Sequence, residues 1–112
     1  KYKDFHDLVQ RDDIEAISVC TPDNLHVEPA AAAASSGKHI LIEKPLARTV
    51  ENCDKIITAV NKTGVKLMVG QIIRFDPRYH TAHKAVREGK IGEIVHFWLR
   101  HNARVCGARK KS

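Results

Sequence analysis

Aromatic residues, long apolar runs and paired cysteines are all scarce in this sequence. Among 112 residues there are one tryptophan, two tyrosines and three phenylalanines, and none is interleaved with the basic run Arg109-Lys110-Lys111. Binding of single-stranded nucleic acid needs aromatic platforms along a basic groove, so a nucleic-acid-binding module is not favoured. No apolar run approaches the roughly 20 residues of a membrane-spanning helix, so no membrane partner is predicted.

Cysteine usage limits the compartment and the metal chemistry. The three cysteines Cys20, Cys53 and Cys106 are far apart and form no C-x-x-C pair, which argues against a disulfide or zinc framework and favours a reducing, cytoplasmic location. Cys20 is predicted to be a small buried strand residue rather than a nucleophile. His80 and His83 have a metal-ligand spacing on a helix, but no third ligand accompanies them, so no metal site is predicted.

Charge is the most abundant polar feature, but it does not form a block. The net charge is +6, and the lysines and arginines are scattered along the chain. A dispersed positive charge of this size suits an anionic small molecule better than a nucleic acid.

Short apolar segments alternate with amphipathic ones. Strands are predicted over 15–20, 40–42 and 65–69, and helices over 4–9, 25–36, 50–63 and 77–88, with a loop over 70–76. Asp4 and Thr49 are predicted as helix N-caps and Gly64 as a helix stop. The alternation predicts parallel βαβ units, that is, an α/β fold. Residues 93–102 alternate in polarity and are predicted as the first strand of a second sheet.

The segment His39–Leu46 combines a short buried strand with a charged tip. Glu43 and Lys44 follow the strand, and Pro45 restricts the backbone of Lys44. Ligands of open α/β sheets bind at the carboxyl ends of the strands, so this tip is a candidate site. The plainer interpretation is a solvated turn in which Glu43 pairs with Lys44.

Two other strand-end loops are also polar. Residues 21–24 (T-P-D-N) and 71–74 (Q-I-I-R) follow the first and third predicted strands. Parallel strands bring their carboxyl ends to one edge, so the three loops together predict one ligand site.

Four segments follow one another in a specific order: V-C-T-P-D-N-L-H (19–26), S-G-K-H-I-L-I-E-K-P-L-A (36–47), V-G-Q-I-I-R-F-D-P (69–77) and G-K-I-G-E-I-V (89–95). In these segments the sequence resembles the Gfo/Idh/MocA family of nicotinamide-dependent oxidoreductases, and the resemblance covers nearly the whole chain, up to about residue 102. It implies a Rossmann domain followed by a largely antiparallel α/β domain. It also implies NAD or NADP as cofactor, a sugar, inositol or related polyol as substrate, and a homo-oligomer.

The resemblance also divides the chain. Residues 1–76 are interpreted as the C-terminal half of a Rossmann NAD(P)-binding domain, a partial parallel βαβαβ unit. Residues 77–112 are interpreted as a linking helix and the first strand of a substrate and oligomerisation domain. No G-x-G-x-x-G occurs in the sequence. In the family that loop and the acidic residue that reads the ribose lie upstream, so the choice between NAD and NADP stays open.

The residue roles that the resemblance implies centre on Lys44. Its ammonium would stabilise the alkoxide that develops during oxidation, or polarise a carbonyl in the reverse direction. In the family the Lys-Pro peptide bond is often cis. The implied cofactor-binding residues are Thr21, Pro22, Asn24, His26, Glu43, Lys44, Pro45 and Arg74.

Two departures leave alternatives open. The family's proton-transferring Asp and His lie in the second domain, downstream of Ser112, and the position of Ile72 is often Asn in relatives. The chain could therefore belong to a relative that binds a nucleotide as a sensor, or to a truncated one that acts through oligomer contacts. We expect the 112 residues alone to be inactive and either unstable or self-associating.

Overall fold

The computed structural model describes residues 2–100 of the chain. They divide into two units, the first ending at Ile73 and the second beginning at Arg74. The elements are α1 (Phe5–Val9), β1 (Ala16–Val19), α2 (Val27–Ser35), β2 (His39–Ile42), α3 (Val50–Thr63), β3 (Leu67–Val69) and α4 (Pro77–Arg87), with 3₁₀ turns at Asp23–Leu25 and Ile72–Phe75.

The three strands form one parallel sheet in the order β1-β2-β3. Ala16 lies opposite His39, and Ile40 lies opposite Leu67. The predicted parallel α/β arrangement is therefore confirmed. All three strands end at the same edge, which is where the polar loops follow.

One face of the sheet is buried beneath the helices. Ile40 and Ile42 of β2 point into the core, and Ile42 is fully buried. Helix α2 contacts β1 and β2, and α3 packs against α2. Ala30, Ala33 and Ala34 of α2 are fully buried, because a side chain of one carbon lets the helix lie close to its neighbours.

The opposite face of the sheet is exposed within the described residues. Ser18, Leu41 and Met68 are aligned across the three strands, and Leu41 and Met68 are 47% and 52% exposed. The prediction that Cys20 is buried is wrong, since its thiol is exposed. Side chains alternate along a strand, and Val19 takes the buried side next to it.

Helix ends follow the local capping residues. The Thr49 hydroxyl accepts a hydrogen bond from the Asn52 amide at 3.2 Å, and Gly64 ends α3 with a φ of 71°. Asp4 likewise caps α1. The second helix begins later than predicted, because the 3₁₀ turn Asp23–Leu25 precedes it.

The region after β3 differs from its prediction in two places. The predicted loop over 70–76 contains the 3₁₀ turn Ile72–Phe75. The strand predicted over 93–102 is wrong for residues 93–100, which have no regular secondary structure. A strand needs a partner for its backbone hydrogen bonds, and residues 74–100 contain no other strand. Residues 101 and 102 lie outside the described residues.

Across residues 2–100, no helix combines the length and the apolar composition that crossing a bilayer requires.

Candidate functional site

Two strand-end loops lie side by side at the carboxyl edge of the sheet. We name residues 20–26 the β1 loop and residues 43–49 the β2 loop. The Glu43 amide donates to the Val19 carbonyl at 3.0 Å, so the β1–β2 hydrogen bonding continues to the first residue of the β2 loop. The loops therefore leave the sheet from adjacent points.

Glu43, Lys44 and Pro45 form an exposed tip on β2. The Lys44–Pro45 peptide bond is cis. Glu43 Oε2 accepts a hydrogen bond from the backbone amide of Lys44 at 3.1 Å. The expected alternative, an ion pair between these two side chains, is not formed, and the Lys44 ammonium has no hydrogen-bond or ion-pair partner among residues 2–100.

Gly70 brings the end of β3 close to this tip. Its amide donates to the Ile42 carbonyl at 2.7 Å. A Cβ on Gly70 would lie 3.4 Å from the Ile42 carbonyl oxygen and 3.8 Å from Glu43 Oε2. These are ordinary van der Waals distances, so the end of β3 packs directly beside the first residue of the tip.

His26 connects the two loops from inside. Its side chain is 1% exposed. Nδ1 lies 2.9 Å from the carbonyl oxygen of Pro45 and 3.3 Å from that of Leu46, and Nε2 lies 2.9 Å from the carbonyl oxygen of Thr21. Both ring nitrogens are thus used within the protein.

An ion pair between Asp23 and Arg48 connects the same two loops at the surface. Arg48 Nε and one terminal nitrogen lie 2.9 and 2.8 Å from Asp23 Oδ1. The hydrogen bond from Arg48 holds the pKa of the Asp23 carboxyl below its usual range. The sequence interpretation missed this pair, although opposite charges in two adjacent strand-end loops were a usable signal.

The remaining predicted residues differ in where they lie. Thr21, Pro22 and Asn24 are exposed in the β1 loop, and the Thr21 hydroxyl donates to the Leu25 carbonyl at 3.2 Å. Arg74 belongs to the second unit and is exposed there. The predicted residues of the β1 and β2 loops therefore lie in two adjacent loops of the first unit. Arg74 lies in the second unit.

The tip presents several groups that a polar ligand can contact. It offers an ammonium that is unpaired among residues 2–100, an exposed carboxylate and an exposed proline ring. No pyrophosphate contact is assigned to these residues, because no G-x-G-x-x-G occurs in the sequence. Residues 2–100 contain no cluster of three His, Cys, Asp or Glu side chains that could hold a metal ion.

Comparison with known proteins gives one family match and many relatives. The family model described as "Oxidoreductase family, NAD-binding Rossmann fold" matches residues 1–71. Levoglucosan dehydrogenase of Pseudarthrobacter phenanthrenivorans is 40% identical over 94 residues, which are 84% of this chain and 24% of that protein. The 2,7-anhydro-N-acetylneuraminate hydratase of Mediterraneibacter gnavus is 35% identical over 101 residues, covering 90% of this chain and 26% of that protein.

Solved structures agree with the fold. Scyllo-inositol dehydrogenase of Lactobacillus casei, solved with NAD(H) and scyllo-inositol, matches with a TM-score of 0.75 and 33% identity. The match covers 81% of this chain and 27% of that one. The chain spans about a quarter of the length of the curated relatives it matches.

Proposed function

This chain belongs to the Gfo/Idh/MocA family of oxidoreductases, and on that premise we propose that the whole protein transfers a hydride between NAD(P) and a hydroxyl or carbonyl group of a sugar, an inositol or a related polyol. The observation that supports it most is the Lys44 ammonium, exposed at the end of β2 and unpaired among residues 2–100. The carboxyl edge of a parallel sheet is where such folds bind their ligands.

Lys44 would act on the substrate oxygen. When bound, the nicotinamide supplies the hydride acceptor or donor. The ammonium stabilises negative charge as the alcohol loses its proton, and in the reverse direction it polarises the carbonyl. Glu43 holds the Lys44 backbone amide and so fixes the start of that side chain.

The other tip and loop residues would bind the cofactor. We assign this role to Thr21, Pro22, Asn24, Glu43, Lys44, Pro45 and Arg74. His26 has the same predicted role from the sequence, but its ring is buried. In the same proposal, residues 1–76 are part of the Rossmann domain, residues 77–112 begin the substrate domain, and the whole protein is a homo-oligomer.

The proposal is tested with the full-length protein. NADH or NADPH formation is followed with a panel of inositols and sugars, together with substrate consumption. Lys44→Met should lower kcat by about 10²–10³-fold, the loss seen when a preorganised charge-stabilising group is removed. Its affinity for NADH, measured by fluorescence titration, should change little.

Lys55→Met provides the matched control. Lys55 is also an exposed lysine, but it lies on α3 and pairs with Glu51. Its loss should leave kcat unchanged. Unchanged turnover in Lys44→Met would remove Lys44 from the mechanism.

Two other outcomes would redirect the proposal. Nucleotide binding without turnover of any substrate would favour the sensor alternative. One relative is a hydratase, so substrate consumption without net NADH formation would indicate water addition or removal in place of net oxidation.

A further inference from the structure

We propose that His26 is a positioning residue, which joins the β1 loop to the β2 loop through both ring nitrogens and so fixes the backbone from which Lys44 reaches the substrate. The predicted effect on turnover rests on the function proposed above. The contacts themselves belong to the fold and can be tested without it.

The first argument is the position of the ring. His26 is the one polar or charged residue among the fully buried side chains of the described residues. It lies next to the start of α2, and its partner Pro45 lies 19 residues further along the chain. A buried ring with partners in both loops resists any movement of one loop relative to the other.

The second argument is the chemistry of the partners. Thr21 and Pro45 both present carbonyl oxygens, which only accept hydrogen bonds. Both contacts are satisfied at once only when Nδ1 and Nε2 each carry a hydrogen, as in the imidazolium. A neutral ring would leave one buried nitrogen lone pair facing an oxygen lone pair, which is costly.

The third argument links the ring to Lys44. The Pro45 carbonyl held by Nδ1 lies one residue after Lys44, and Glu43 Oε2 holds the Lys44 amide on the other side. The Lys44 backbone is therefore fixed from both directions, while its side chain stays exposed. This role replaces direct cofactor binding by His26, because the ring is buried and neither nitrogen is available to a ligand.

Three variants of the full-length protein separate the two contacts. His26→Asn places an amide donor near the position of Nδ1, His26→Gln places one near Nε2, and His26→Leu offers neither. We expect kcat to fall by about 10²-fold in His26→Leu, as when a reacting group is misplaced by about 1 Å. His26→Asn and His26→Gln should each lose less, and NADH affinity should change little in all three.

His6→Ala is the control histidine variant. His6 lies exposed on α1 and belongs to neither the β1 loop nor the β2 loop. The His6→Ala substitution should leave kcat and NADH affinity unchanged. Unaltered kcat in folded His26 variants would overturn the proposal, and so would a loss of NADH affinity that matches the loss of kcat. If His26→Leu does not fold, the Asn and Gln variants still decide between these outcomes.

A spectroscopic measurement tests the contacts without reference to activity. In protein labelled with ¹⁵N-histidine, His26 should give two slowly exchanging ring N–H signals, identified by their loss in His26→Gln or His26→Asn. A single ring N–H signal would overturn the two-donor arrangement. Two signals in a protein that oxidises no polyol would leave the contacts established and contradict only the proposed function.

Discussion

The charged side chains of the two strand-end loops have different partners, and these partners separate structural from chemical roles. Asp23 and Arg48 satisfy each other between the loops. Glu43 binds a backbone amide. Lys44 has no partner among residues 2–100 and is therefore the cation of these loops that is available to a ligand.

The Asp23–Arg48 pair gives a pH-dependent prediction. The folded-state pKa of Asp23 lies below its ordinary value of 3.8, so the pair adds stability above that value and loses it as the pH falls through the lower folded-state pKa. Asp23→Asn should therefore lower the melting temperature at pH 7, and the difference from the wild type should shrink below pH 3.8. The effect should be small, because the pair is exposed.

Thermal melts from pH 7 to about pH 3, across the carboxyl range, check this prediction. Asp54→Asn is the control, because Asp54 is exposed on α3 and has no ion pair within the described residues. A difference for Asp23→Asn that stays constant down to the lowest pH would contradict the assignment of the effect to this carboxylate.

Sequence patterns drew attention to residues of the two strand-end loops, but not to the contacts that these residues make with backbone groups. Lys44 stood out because a charge followed by proline at a strand end is visible in the sequence. The contacts of His26 were not visible in the sequence, because the ring contacts backbone carbonyl groups, which every residue carries. Cys20 was misplaced because the alternation of a short strand gives no sign of which face the helices cover.

At the level of elements, a helix or strand could be predicted where the contacts that define it lie close together in the sequence. The bounds of α3 were predicted because Thr49 and Gly64 act within one turn of the helix they limit. The strand predicted over 93–102 was wrong for 93–100, because polarity alternation indicates a strand but does not supply the partner that a strand needs.

The Thr49 cap can be tested directly. Thr49→Ala removes the hydroxyl that accepts from the Asn52 amide, at an expected cost of about 1 kcal/mol in the free energy of unfolding. The melting temperature should fall by about 2–8 °C, with the smaller values for a longer protein. Thr49→Ser keeps the acceptor and should restore most of the loss. Equal stability of the Ala and Ser variants would show that the cap contributes little.

For the molecule as a whole, the sheet of the first unit is incomplete within residues 2–100. β1 and β3 are both edge strands, and one face exposes Leu41 and Met68. Parallel sheets are normally covered on both faces, and unpaired edges invite pairing with other chains. Within residues 2–100, this sheet face is therefore a surface that a second copy can cover.

We predict that residues 1–112, expressed alone, self-associate through this face. Sedimentation velocity over a range of concentrations should show species larger than a monomer, and Met68→Lys should shift the population toward monomer by placing a charge within the apolar face. Val50→Lys is the matched control, because Val50 is 78% exposed but lies at the start of α3. A monomer at all concentrations, or equal effects of the two lysine substitutions, would contradict this use of the sheet face. Since apolar burial drives such an association, monomerisation by Met68→Lys alone would locate it on the sheet rather than on the helices.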